Sequence, residues 1–146
     1  MSGRRRADRD GDQRGSVVVE FALVVPLVVL IVVGVIQYGY HYWAMQTASA
    51  TAREAARRLI VGTDPVCTVA EARARASGPA VGSSVPTVVY AYDNAGNTAE
   101  RGVLVTVTVT IQSLDVGLVP LPSGGLVTQT ASNRVENVPI DPLLCE

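Results

Sequence analysis

The sequence predicts an α+β fold, in which a long N-terminal transmembrane helix continues into a small exported domain with a short helix and a three-stranded antiparallel sheet. An almost unbroken apolar run from Val17 to Ile36 is about 30 Å long as a helix, which matches the hydrocarbon core of a bilayer. Small side chains then recur at helical spacing as far as Val61. Farther on, a β-branched segment alternates as a half-buried strand does.

The overall composition narrows the classes of function. The 146 residues carry a formal net charge of −1 and a single histidine. Without a strongly basic surface, we expect no nucleic-acid partner. The chain also lacks G-x-S-x-G, HExxH and glycine-rich phosphate-loop patterns. We therefore expect no enzyme, and neither a catalytic residue nor a cofactor, metal or small-molecule substrate.

The charges in front of the apolar run predict its direction in the membrane. Five arginines lie between Met1 and Gly15, and cationic residues beside a span stay on the cytoplasmic side. We expect a single-pass protein of a bacterial cell membrane, with its N-terminus cytoplasmic and its C-terminal domain outside. The aromatic cluster Tyr38–Trp43 is typical of the outer interface. His41, within this cluster, is predicted to be an interfacial side chain.

Glu20 is the one charged residue of the apolar run, and a carboxylate inside a membrane needs a partner. Cleavage after Gly15 would supply one, because Ser16 would become the N-terminus and carry an α-ammonium near the depth of Glu20. In a bundle of such helices, Glu20 could pair with the N-terminus of a neighbour and fix the axial register. Pro26 leaves the Ala22 carbonyl without its helical donor, so we expect a bend there.

Two other interpretations of the run stay open. A secretory signal would be cut at the A-x-A pattern of Ala48, Ser49 and Ala50, although this pattern lies farther from the apolar run than a signal cleavage site does. A simple membrane anchor for an exported binding domain accounts for the span and the aromatic cluster. It leaves the spacing of Gly15 and Glu20 unexplained, and the carboxylate would then be merely tolerated.

Beyond the run, the helix is predicted to continue on a face of small residues and to end at Gly62. This small-residue face comprises Ala44, Ala48, Ala52, Ala55, Ala56 and Leu59. Four charged positions are predicted to be solvated, namely Arg53, Glu54, Arg57 and Arg58. Glu54 is spaced for ion pairs with either of the last two arginines. Gly62 is the predicted C-cap, and Pro65 is predicted to prevent the helix from resuming.

A second helix and three strands are predicted in the rest of the chain. Thr68–Ala76 has a helical composition and is followed by Ser-Gly-Pro. The strands are predicted at residues 85–93, 103–111 and 126–136, and the second of them alternates from Val103 to Ile111. Three strands with threonine-rich outer faces need their apolar face covered. The outer half of the long helix and the second helix can cover it.

A polar cluster follows the first strand. It consists of Asp93, Asn94, Asn97 and Glu100, whose oxygens are of the kind that binds calcium. The cluster lacks the Asp-x-Asp-x-Asp-Gly order, and a hairpin turn explains the Asn and Gly residues equally well.

The two cysteines, Cys67 and Cys145, both lie beyond the apolar run. On the exported side of a membrane they are predicted to form one disulfide. The loop that it closes would be worth about 4–5 kcal/mol on the chain-entropy model. Two free buried thiols in a reducing compartment are the alternative.

Several of these motifs together carry a family resemblance. “GSVVVEFALVVPLVVLIVVGVIQYGYHY”, followed by “ATAREAARRLIVG”, is similar to the TadE-like family, the minor pseudopilins of tight-adherence (Tad) pili, which are related to type IV pili. Gly15 and Glu20 match the processing motif of pilin precursors, and Phe21, Ala22 and Pro26 match an “EFAxxxP” pattern. The closing “TASNRVE” resembles the last strand of the family.

The resemblance implies a pilin-like structural subunit that a membrane prepilin peptidase cuts between Gly15 and Ser16. Residues 1–15 would be a charged leader, 16–62 the transmembrane and assembly helix, and 63–146 the exported α+β domain. The implied partners are the bilayer, the peptidase, other pilin or pseudopilin subunits and the pilus assembly platform. The subunit would support adhesion or pilus biogenesis, either from the membrane or from within an extracellular pilus.

Overall fold

The computed structural model describes the backbone of residues 9–81 and 84–138, and the side chains in these ranges from Ser16 onward. Its helices are α1, Arg9–Ile60, and α2, Pro65–Ala76, and its strands are β1, Thr87–Tyr92, β2, Leu104–Gln112, and β3, Leu126–Arg134. A short 3-10 turn at Pro122–Gly125 precedes β3. The strands form one antiparallel sheet in the order β1-β2-β3. The predicted α+β fold is confirmed.

The chain divides into two compact units, one that ends at Ile36 and one that begins at Gln37. The first unit contains the N-terminal part of α1, and most of its large apolar side chains from Val17 to Ile36 are exposed. The second unit contains the rest of α1, α2 and the sheet. The predicted boundaries at residues 15 and 62 concern processing and topology, and they stay predictions.

The core of the second unit combines one helix face with one sheet face. The small-residue face of α1 is almost completely buried, from Ala44 to Leu59. Every second residue of β2 from Val105 to Ile111 is buried as well, and Ala72 and Ala76 of α2 complete the same cluster. The helix face, the alternation in β2 and the covering of the sheet by both helices therefore follow the sequence pattern.

The other face of the sheet is polar and is tied together by hydroxyl groups. Thr106 and Ser132 are opposite each other in β2 and β3, with their oxygens 2.8 Å apart. Thr110 and Thr128 form a second such pair at 3.2 Å. These cross-strand pairs stabilise the register of β2 against β3.

The C-terminus of α1 is capped as predicted. Gly62 has a φ of 90°, a conformation that glycine adopts without steric cost. Its N–H donates to the Leu59 carbonyl at 3.4 Å, and the Thr63 N–H donates to the Arg58 carbonyl at 3.1 Å. These two bonds are the Schellman motif, which satisfies carbonyls that the helix leaves unpaired.

The start of α2 corrects the sequence prediction. We expected Pro65 to act as a breaker and the helix to begin at Thr68, but Pro65 is the first residue of α2. Proline suits this position because its fixed φ is helical and its missing N–H has no acceptor there. Asp64 is the N-cap, and its Oδ1 accepts from the Cys67 N–H at 3.0 Å.

The end of β3 is earlier than predicted, at Arg134 instead of residue 136. The backbone N–H groups of Glu136 and Asn137 donate to the Ile60 carbonyl at 3.0 and 2.8 Å. The chain therefore leaves β2 at this point and satisfies the last carbonyl of α1.

Candidate processing and assembly segment

The predicted processing and assembly residues all lie in one helix. Gly15, Ser16, Glu20, Phe21 and Pro26 belong to α1. From Ser16 on, this helix contains a window with a mean hydropathy of 3.0, none of which is buried. It is long and apolar enough to cross a membrane, and it is the one such helix among the described residues.

The carboxylate of Glu20 is exposed and only weakly engaged. Ser16 lies one turn before Glu20 on the same helix face, and its hydroxyl donates to Glu20 Oε1 at 3.5 Å. A contact of this length is at the outer limit of a hydrogen bond. Within the described part of the chain, Glu20 Oε2 has no hydrogen-bond partner. The carboxylate of Glu20 is therefore accessible to a cation.

The apolar surface around Glu20 faces outward on every side. Phe21 is 69% exposed and Leu23 is 74% exposed. An apolar surface of this extent needs lipid or other apolar helices around it. The helix continues through Pro26 without interruption, and the bend that we expect at this proline stays a prediction.

The packing of the second unit disfavours cleavage by a signal peptidase. Ala48 is fully buried and Ala44 lies beside it in the core cluster. A cut after Ala50 would remove both residues from the core of the second unit. The A-x-A pattern lies inside α1 and contributes to its buried face.

A buried polar cluster lies at the start of the second unit, and the sequence patterns above do not predict it. Gln37 is fully buried, and its Nε2 donates to the Val119 carbonyl at 2.8 Å and to Asp115 Oδ1 at 3.2 Å. The hydroxyl of Tyr38 donates to the Pro120 carbonyl at 2.9 Å. These bonds attach the loop between β2 and β3 to α1.

His41 is buried in the same cluster, and its predicted place at the membrane interface stays a prediction. It is 8% exposed, and its Nδ1 lies 3.0 Å from Ser113 Oγ. Ser113 Oγ also donates to the Gly125 carbonyl at 2.9 Å. Because a carbonyl only accepts, the serine hydrogen is used there, and His41 Nδ1 must be the donor to Ser113.

The spacing of the sequence does contain a signal for these two residues. Gln37 and His41 extend the spacing of three and four residues backward from Ala44, so they lie on the small-residue face. In the aromatic cluster, the remaining side chains are exposed, namely Tyr40, Tyr42 and Trp43. Their placement at a membrane interface stays a prediction.

An ion cluster joins the two helices. Arg58 Nε lies 3.1 Å from Glu54 Oε1, and Arg57 Nη1 lies 3.9 Å from Glu54 Oε2, so the predicted pairing is confirmed. Arg58 also pairs with Glu71 of α2. The hydrogen bond to Glu54 raises the pKa of Arg58 above its usual value, and Glu71 adds to this while burial opposes it. Arg58 is thus a link between α1 and α2 and is only partly solvated.

The polar cluster after β1 serves the turn. Asn94 Oδ1 accepts from the Thr98 N–H at 3.0 Å, and Asn97 Oδ1 accepts from the Tyr92 N–H at 2.7 Å. Asn97 has a φ of 47°, which asparagine tolerates in turns. Among the described residues, no group of three or more His, Cys, Asp and Glu side chains is arranged to hold a metal ion.

The two cysteines differ in how far the structure describes them. Cys67 is buried in the first turn of α2. Cys145 lies outside the described residues, so the disulfide between them stays a prediction.

Comparison with known proteins gives one match. The family model of the TadE-like proteins matches residues 15–57, and the resemblance predicted from the sequence is confirmed over this segment. No curated protein and no solved structure matches the chain. The matched segment contains the predicted cleavage site, the apolar run and most of the small-residue face.

Proposed function

We propose that this chain, a TadE-like protein over residues 15–57, is a minor pseudopilin of a Tad pilus system. The family match indicates a pilin-like protein associated with such a pilus. The finer proposal is that a prepilin peptidase cuts between Gly15 and Ser16, and that the mature subunit assembles through its N-terminal helix. No prosthetic group or small-molecule substrate is needed for this role.

The observation that carries the proposal is the combination of an apolar helix segment with no buried residue and one carboxylate near its start. The family match begins at Gly15, and Glu20 is the one charge between Val17 and Ile36. A bitopic anchor has no need for this carboxylate, because an acid within a span opposes insertion. A processed subunit needs it, because its new N-terminus is a cation.

The helix geometry is compatible with a partner from a neighbouring subunit. After cleavage, the α-ammonium of Ser16 is four residues, or about 6 Å of helix rise, from Glu20. Within one chain, Glu20 reaches back only as far as the Ser16 hydroxyl, at 3.5 Å, whereas a neighbouring helix shifted by about one turn would bring its α-ammonium to the depth of the same carboxylate. The free N–H groups at the new helix terminus also favour a negative charge nearby.

The energetic role of this pair is to select a register. An acidic side chain left unpaired in a membrane costs up to about 3 kcal/mol on insertion scales. If a helix slides along its neighbour so that Glu20 loses its partner, each subunit of the bundle again has an unpaired carboxylate at this free-energy cost. The apolar side chains around Glu20 hold neighbouring helices together, but they do not specify the axial register. The pair of Glu20 and the N-terminus therefore contributes specificity more than stability.

The topology follows from the arginine-rich leader. The leader stays in the cytoplasm, where the peptidase acts, and the exported domain lies outside. The subunit then supports pilus biogenesis or adhesion from the membrane or from the pilus, in contact with other pilin subunits and the assembly platform. A disulfide between Cys67 and Cys145 would stabilise the exported domain there.

Processing is tested by substitution at the cleavage site. Gly15→Leu should leave the full-length precursor in the membrane, because the bulky side chain replaces the glycine that the peptidase recognises. Gly11→Leu, in the same leader, is the matched control and should be processed normally. The mass of each purified protein is the readout. Identical mature masses for both variants would contradict cleavage after Gly15.

Assembly is tested at Glu20. Glu20→Val should leave membrane insertion intact and abolish assembly, and Glu20→Gln should do the same because it keeps the size and removes the charge. Glu20→Asp keeps the charge and should retain part of the pilus assembly. Membrane fractionation and the count of pili per cell separate insertion from assembly. Normal piliation in Glu20→Gln would remove the register argument and favour a membrane-anchored binding domain.

A further inference from the structure

The loop between β2 and β3 exposes apolar side chains at its tip. In the tip loop, defined as residues 114–120, Val116 is 49% exposed and Leu118 is 60% exposed. Gly117 lies between them with a φ of 72°, and the chain bends there. The packing of the second unit gives no reason for two large aliphatic side chains to point away from its core.

The hydrogen bonds of the loop show in which direction it runs. At its base, Ser113 is bonded to His41. Farther along, Asp115 and Val119 are both bonded to Gln37, which is one helical turn, or about 6 Å, nearer the apolar run. The loop thus descends along α1 toward the residue that directly follows Ile36. Its tip, residues 116–118, lies between the two residues that hold Gln37.

The tip loop contains a single charged residue, and that charge is engaged. Asp115 Oδ1 accepts from the Gly117 N–H at 2.9 Å and from Gln37 Nε2 at 3.2 Å. The remaining side chains of the loop are Leu114, Val116, Leu118, Val119 and Pro120. Tyr38, which binds the loop at Pro120, is of the residue type that prefers membrane interfaces.

We propose that the tip loop is a second membrane contact, with Val116 and Leu118 inserted at the boundary between headgroups and acyl chains on the outer side. The chain reaches this boundary at Gln37, because the apolar run ends at Ile36, and Gln37 holds both ends of the tip. Two aliphatic side chains are too small a patch for a specific protein interface, which buries about 1,200–2,000 Å² in total. They are sufficient for shallow insertion beside an existing span.

This inference depends on the membrane span and not on the pilus role, so the two proposals fail separately. Insertion of the tip loop would fix the exported domain to the bilayer at a second point besides α1. The domain would then have a restricted tilt and rotation before any assembly takes place.

The test uses the full chain in vesicles with one tryptophan at a time. In a Trp43→Phe background, Leu118→Trp reports on the tip, Ile36→Trp marks the end of the apolar run, and Val89→Trp marks the outer face of the sheet. Val89 is a matched control because it is 54% exposed and also aliphatic. The vesicles contain phosphatidylethanolamine, phosphatidylglycerol and a lipid with a nitroxide near its headgroup.

We expect the fluorescence of Leu118→Trp to be shifted to the blue and quenched by the nitroxide lipid about as strongly as that of Ile36→Trp, with Val89→Trp unquenched. Far-UV circular dichroism confirms that each variant is folded. Quenching of Leu118→Trp no stronger than that of Val89→Trp would overturn the inference. Weak quenching overturns the inference even if the emission of Leu118→Trp is shifted to the blue. A blue shift without quenching would mean that protein, for example a second subunit, covers the tip in place of lipid.

Discussion

The small-residue face of α1 gives the sharpest stability prediction, at Ala48. This residue is fully buried within the core cluster, and leucine would add three carbon atoms where the packing leaves no exposed surface. Overpacking of a core costs about 1–3 kcal/mol. Ala50 is the matched control, because it is exposed on the same turn of the helix, and Ala50→Leu should change stability by less than about 0.5 kcal/mol.

The measurement is pulse proteolysis of the full chain in detergent micelles at increasing urea concentration, which reports the folded fraction of the second unit. With a urea dependence of about 2 kcal/mol per molar, Ala48→Leu should lower the midpoint by roughly 0.5–1.5 M. Both variants add the same apolar side chain, and leucine is nearly as good a helix former as alanine. The difference between them therefore isolates packing.

Equal midpoints for Ala48→Leu and Ala50→Leu would refute the reasoning. They would mean that the helix face can move away from the sheet at no cost, and that its alanines are not selected by packing. A raised midpoint for Ala48→Leu would show unfilled space at the centre of the core.

Two further predictions concern Tyr92 and glycine. Burial raises the pKa of Tyr92, with Tyr90 adding to it. The neutral form of Tyr92 therefore contributes stability that is fully present below the pKa of about 10 that tyrosine has in the unfolded chain. This contribution is lost as the pH rises through the higher pKa of Tyr92 in the folded protein. Tyr92→Phe should flatten this loss between pH 9 and 12, and parallel urea profiles for both proteins would contradict it. Gly62→Ala should cost about 1–2 kcal/mol because φ is 90°, whereas Gly39→Ala, with open space around the new Cβ, should gain about 0.5–1 kcal/mol. Urea midpoints check the pair, and a loss at both positions would contradict the backbone argument.

The features that the sequence predicts well are those set by local chemistry. The alternation in β2 places its valines on one face because successive side chains of a strand point to opposite sides. Gly62 ends α1 because its positive φ suits glycine. The apolar run and its one carboxylate can likewise be identified without knowledge of any tertiary contact. The family match covers this segment as well.

Pro65 shows where local chemistry is ambiguous. A proline is compatible with both positions for different reasons. After a helix it lacks the N–H that would continue the hydrogen bonding, and at the first position of a helix the N–H that it lacks would have no acceptor. The side chain of Asp64 decides between the two by capping the Cys67 N–H. The Asp-Pro pair is therefore better read as the beginning of a helix than as a breaker.

Gln37 and His41 show what a local pattern cannot supply. Both are buried because a loop that is more than 70 residues later in the chain covers them. The aromatic neighbourhood of His41 predicts a membrane interface, and it contains no sign of the tertiary contact with Ser113 that buries the ring. The pairing of Arg58 with Glu71 is similar, since it depends on where α2 packs and not on spacing within one helix.

Cleavage between Gly15 and Ser16 is best tested by the N-terminal sequence and intact mass of the protein recovered from its native membrane. We expect a start at Ser16, with or without an added methyl group, which would give Glu20 its cationic partner. An intact arginine-rich leader would contradict pilin-type processing and leave an anchored domain with an unexplained carboxylate. A start at Thr51 would contradict both the membrane span and the core packing of Ala44 and Ala48.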